Sequence, residues 1–183
     1  LTRALAPYRT EAPTPATLGL RFLAAIVDSL ILTMAGLIIQ FLVFGSFTNA
    51  ADSMLTGGPR TFVVMAVGFV IGILYFAVQE GVWGATLGKR ICRLRVVAPD
   101  KSAPGIGLGL VRALIYHGVP AVPSWIVLIF FKGNFLAGTT GPSAVSTLIG
   151  LSYYALVALL FCTARRRNGF AAVHDLITDT RVI

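Results

Sequence analysis

Four long apolar runs divide the chain, and the polar residues between them fall into short blocks. The first run, about 18–45, reads LGLRFLAAIVDSLILTMAGLIIQFLVFG and is broken by only two charges, Arg21 near its start and Asp28 further in. The others cover about 61–83, 106–131 and 143–163. About 20 apolar residues at ~1.5 Å rise each cross the hydrocarbon core, so the pattern predicts an all-α integral membrane fold of four transmembrane helices. The third run contains Arg112, His117, Pro120 and Pro123. It is either an amphipathic surface helix over 106–118 followed by a short span, or one kinked span, because proline interrupts the helical hydrogen-bond ladder.

The segments between the runs carry different signals. Residues 1–17 hold Pro7, Pro13 and Pro15 without periodicity and predict a flexible tail ahead of one membrane domain, 18–183. Residues 84–105 are too polar to span. Arg93-Leu94-Arg95-Val96 alternates like a strand, while Leu87, Ile91 and Leu94 would also fit one face of an interfacial helix. Gly68 and Gly72, and later Gly105 and Gly109, have the small-xxx-small spacing that lets helices approach closely.

Composition agrees with this class. Of 183 residues, 56% are hydrophobic and only 12% charged, about half the charge of a soluble domain. The net charge of +8 would raise nucleic acid as a partner in a soluble protein. Here the basic residues stand at the ends of apolar runs, which points to anionic lipid headgroups and not to nucleic acid. All of them except Arg60 and Lys132 fall on one side of a four-span arrangement. The positive-inside rule then places both termini in the cytoplasm, with 164–183 a cytoplasmic segment. Lys89, Arg90, Arg93 and Arg95 are the expected headgroup contacts. The first run is too long, and lacks the cleavage pattern, for a signal peptide.

Asp28 is the costliest residue in this picture. An unpaired carboxylate at that depth costs ~2.5–3.5 kcal/mol, so it is expected to face protein or water. Arg21 lies nearly two turns earlier on the same helix face. Glu80 ends the second run, and Arg112 falls near the same boundary. These four predict an intramembrane cluster, with Arg21 paired to Asp28 and Glu80 and with Arg112 reaching in, since bidentate arginine–carboxylate pairing holds such charges most cheaply. Its role is either structural or ion-handling. His117 could titrate near neutral pH or simply sit at the interface.

Other chemistry is thin. GATLGKR lacks the spacing and the Ser or Thr of a phosphate-binding loop, so a nucleotide site is rejected. Cys92 and Cys162 form neither a metal pattern nor a disulfide framework. No metal, no cofactor and no enzymatic activity are expected.

The residues Gly19-Leu20-Arg21-Phe22 with Asp28, Gly84-Ala85-Thr86-Leu87-Gly88-Lys89-Arg90 with Leu94-Arg95-Val96-Val97, Arg112, and His174-Asp175-Leu176 with Thr180-Arg181-Val182 together resemble the RDD family of small bacterial membrane proteins. The resemblance maps the family's Arg and first Asp onto Arg21 and Asp28, and its later Asp onto Asp175. It implies transport in some members, including cation/proton exchange, and accessory roles in larger membrane assemblies in others. The C-terminal LITDTRVI is expected to pair as a short strand with residues 93–97. That two-stranded cap would bring His174 and Asp175 to the cytoplasmic mouth near Arg21. Two functions follow as expectations. The first is a non-enzymatic accessory or assembly subunit of a larger membrane complex, bound to other subunits or to a second copy. The alternative is a cation/proton or small-solute transporter using Asp28.

Overall fold

The computed structural model describes residues 15–46, 59–131 and 144–183. The expected tail before residue 15 and the two loops at 47–58 and 132–143 lie outside them. Helix α1 runs Leu18–Phe44 and α2 runs Pro59–Trp83. A five-residue helix α3, Leu87–Ile91, precedes strand β1, Val96–Val97. Helix α4, Ile106–Ala113, continues through a π-helical turn, Leu114–Gly118, into α5, Val119–Phe131. Then come α6, Ala144–Leu160, a 3₁₀ turn Arg166–Asn168, α7, Val173–Ile177, and β2, Arg181–Val182.

Three helical segments are long and apolar enough to cross a membrane: α1, α2 and the continuous segment Ile106–Phe130. The fourth apolar run forms a helix of 17 residues, shorter than the predicted 143–163. Burial is inverted relative to a soluble protein. Phe22, Leu30 and Leu42 of α1 point outward, while Arg21 and Asp28 of the same helix are buried. Side chains that would form a core in water face the surroundings here, as a lipid-embedded helix requires.

The third run is one continuous helix over 106–131, without a break at its prolines. Pro120 has no N–H, and its ring would collide with the carbonyl one turn back. The π turn immediately before it widens the backbone at that point and lets the helix continue. His117 lies in this turn, stacked on Phe69 with ring centroids 5.8 Å apart. Its imidazole fills the notch at Gly72, where an added Cβ would lie 2.5 Å from Nε2. His117 is thus packed between Phe69 and Gly72. Of the two glycine pairs, only Gly72 and Gly109 are packed against, whereas a Cβ on Gly68 or Gly105 would meet nothing within 4 Å. Gly109 crosses Gly81 so closely that a Cβ on Gly109 would stand 3.0 Å from the Gly81 backbone.

Local caps explain the ends of the elements. Thr17 accepts the Leu20 N–H at the start of α1, and Gly45, at φ 72°, ends it in the left-handed region. Thr86 caps α3 by accepting the Lys89 N–H. The predicted cap forms: β1 and β2 pair antiparallel, with Val96 opposite Val182 and Val97 opposite Arg181. Ala16 donates to the Val182 carbonyl at 3.0 Å, and Val96 donates to the Gly84 carbonyl at 2.6 Å. The small sheet therefore ties the start of α1, the end of α2 and the C-terminal segment together. Val96, Val182 and Leu94 bury their side chains against Ala24 of α1 beneath it.

Candidate functional site

At the end of the bundle covered by this sheet, charged side chains from five helices meet. Asp175 occupies the first turn of α7, where its Oδ2 accepts the Ala172 N–H at 3.0 Å. The same oxygen accepts Arg21 Nη2 at 2.6 Å, and Oδ1 accepts Arg112 Nη1 at 2.6 Å. Arg112 also donates from Nε to Glu80 Oε2 at 2.9 Å and from Nη1 to the Thr180 hydroxyl. Lys89 closes the chain of charges by pairing with Glu80 Oε1. Arg21 donates a further bond to the Phe170 carbonyl and lies over the Phe161 ring at 5.6 Å. The result is an unbroken line, Arg21–Asp175–Arg112–Glu80–Lys89. Arg112 at its centre is 2% exposed and Asp175 0%.

Such burial costs several kcal/mol per ion and is offset only when every lone pair and proton has a partner. Both oxygens of Glu80 and of Asp175 accept at least one such bond. Burial alone would raise the Asp175 carboxyl, but the Arg112 and Arg21 guanidiniums hold it well below the usual carboxylate range. The neighbouring His174 behaves oppositely. Burial among Tyr116 and Phe161 pushes its imidazole down to about 3, and Asp175, 3.5 Å from Nε2, does not restore it. Its Nδ1 is buried with no hydrogen-bond partner among the described residues.

Asp28 is the surprise. The expected Arg21–Asp28 pair does not form: the guanidinium turns toward Asp175, across 154 positions of sequence. Asp28 is held instead by neutral donors. Its Oδ1 accepts the Tyr75 hydroxyl at 2.7 Å and the Gly88 N–H at 2.8 Å, and Oδ2 accepts the Thr86 hydroxyl at 2.6 Å. No ion pair to Asp28 occurs among the described residues. The GATLGKR loop thus wraps a carboxylate of its own chain with the kind of donors that elsewhere cradle phosphate. Gly88 is required there, because a Cβ would collide with the Ala24 carbonyl and stand 2.8 Å from the Asp28 carboxylate. Gly88→Ala is expected to cost ~1–3 kcal/mol of stability, as overpacking against backbone does. Thermal unfolding in detergent checks it, and an unchanged midpoint would refute the fit.

The structure therefore brings Arg21, Glu80, Arg112, His174 and Asp175 together, with Asp28 beside them. All of them except Asp175 line one cavity of about 30 Å³, room for about two waters at ~10–15 Å³ each. Lys89 is a second correction: expected at lipid headgroups, it turns inward to Glu80 and its side chain is 15% exposed. Arg90, Arg93 and Arg95 are exposed, and Arg90 lies over the Trp83 ring at 5.1 Å. The residues missed from sequence are the donors Tyr75, Thr86 and Gly88, and Thr180. Thr86 did carry a signal, since a threonine just before a short basic helix is a capping position. No group of metal-ligating side chains occurs among the described residues.

A family model described as the RDD family matches residues 15–179. No curated protein and no solved structure matches the chain. The matched span contains α1, the wrapped Asp28, the line of charges and α7, and the chain belongs to the RDD family.

Proposed function

We propose that this is a bacterial inner-membrane protein of four spans with both termini cytoplasmic, acting as a non-enzymatic accessory or assembly subunit of a larger membrane complex. One observation carries this reading: every buried carboxylate among the described residues has both oxygens occupied by donors on its own chain. A carboxylate that carries ions through a membrane must give up its partners in each cycle. Here Glu80 and Asp175 hold theirs in a lattice that fixes helix positions. A rigid arrangement of this kind suits a protein that presents an invariant surface to other subunits or to a second copy. The exposed Arg90, Arg93 and Arg95 suit contact with anionic headgroups.

A second reading, cation/proton or small-solute transport, is favoured by Asp28 alone. Its donors are neutral and it lines the small cavity, so a proton or a cation could balance its charge there. Proteoliposomes separate the two. Under the accessory reading neither the native protein nor Asp28→Asn gives a cation-driven pH change. The variant instead loses ~1–3 kcal/mol of stability, because an amide nitrogen then faces one of the three donors. Cation-driven exchange in the native protein, abolished by Asp28→Asn with normal insertion, would establish transport.

A further inference from the structure

Helix α6 packs chiefly on α5, and between it and α1 lies a groove of about 540 Å³. That is the size of a small-molecule site, ~300–1,000 Å³. Phe22, Ile26 and Leu30 form one wall, Tyr154 and Val157 the other. The lining on α1 extends from Leu18 to Thr33, about 22 Å of helix at ~1.5 Å per residue and so deeper than one leaflet's half of a ~30 Å hydrocarbon core. At one end the groove meets Arg21 and Phe161. Four residues past Phe161 the chain places Arg165, Arg166 and Arg167, all exposed and forming no ion pair among the described residues.

We propose that this groove binds one acyl chain of an anionic phospholipid from the surrounding leaflet, with the phosphate of its headgroup held by Arg165, Arg166 and Arg167. The inference holds under either functional reading, since it uses none of the buried carboxylates. Hydrocarbon in the groove exchanges one apolar surrounding for another and gives little discrimination. Selection must come from the end of the groove, where three guanidiniums with no ion pair among the described residues complement a phosphate. Arg21 is already committed to Asp175 and Phe170, and serves as the floor of the site.

The test is native mass spectrometry of the full chain in detergent with equimolar phosphatidylglycerol and phosphatidylcholine of matched chains at low salt. One phosphatidylglycerol is expected to be retained at least tenfold over phosphatidylcholine. Combined Arg165→Ala, Arg166→Ala and Arg167→Ala should erase that preference, at roughly fivefold per arginine. Ser29→Trp, which fills the groove, should lower retention of both lipids. Arg93→Ala with Arg95→Ala should change neither. Equal retention of the two lipids by the native protein overturns the proposal, as does a preference that survives the triple change. So does a preference lost equally through Arg93 and Arg95, which would mean diffuse surface charge. Disulfide capture between two chains carrying Leu30→Cys would make a second copy the occupant. If Ser29→Trp fails to fold, the arginine series decides alone, because those side chains are exposed.

Discussion

Arg112→Met is expected to destabilise the protein by ~3–5 kcal/mol, the cost of leaving buried charge without its partner. Methionine fills much of the space and stays apolar, so the loss is one of charge and not of volume. Arg112 bridges Glu80 and Asp175, and its removal strands one oxygen on each. Asp175 keeps Arg21, and Glu80 keeps Lys89. These remaining partners keep the expected effect within that range, without loss of the fold. Adding Glu80→Gln to Arg112→Met should recover part of it, because the remaining Lys89 is partly exposed and can turn its ammonium outward. Unfolding by denaturing detergent measures both. A double variant as unstable as the sum of the two single changes would show that Glu80 and Arg112 do not interact.

The second large effect is an acid-induced loss of stability governed by His174. In the unfolded chain an imidazole titrates near ~6.5. In the fold, burial together with Arg112 and Arg21 pushes it down to about 3, against the opposing pull of Asp175 and Glu80. Between those values the unfolded chain binds a proton that the native protein refuses, so stability falls as pH drops, by on the order of 1 kcal/mol per pH unit. Above ~6.5 this contribution is complete. Asp175 has the same sign but a lower window. Its carboxyl is depressed in the fold, so its contribution is intact above the unfolded value near ~3.9 and declines only below that. Thermal midpoints should thus be level from pH 8 to 7 and fall between pH 6 and 4. His174→Gln, neutral throughout, should flatten that fall. A native profile already flat to pH 4 would mean that His174 takes up its proton within the fold.

What was legible in the sequence follows from periodicity and from local chemistry. The apolar runs located α1 and α2, and the alternation in residues 93–97 and in the C-terminal segment was enough to pair β1 with β2. The identity of the charged cluster was also legible, because an ionisable side chain in an apolar run has few places to go. Its wiring was not. Arg21 and Asp28 share a helix face by spacing, yet each finds a better partner through tertiary contact: Arg21 with Asp175, Asp28 with Thr86, Tyr75 and Gly88. Lys89 looked like a headgroup residue since a basic loop at a membrane edge usually is one. Only the descent of α3 against α1 turns it toward Glu80. The π turn before Pro120 escaped because proline signals an interruption without saying whether the helix breaks or merely widens.

The reach of the Arg21–Asp175 pair sets a constraint on how the protein is made. The two residues are separated by 154 positions, and ribosomes add ~5–20 residues per second. For roughly ten seconds or more, α1 must therefore lodge at the bilayer with its guanidinium lacking its eventual partner. During that interval Arg21 has to extend toward headgroups or water, as a long cationic side chain near a helix end can do. Biogenesis is then a two-stage affair: threading of apolar rods first, and only later the docking of the segment that neutralises them.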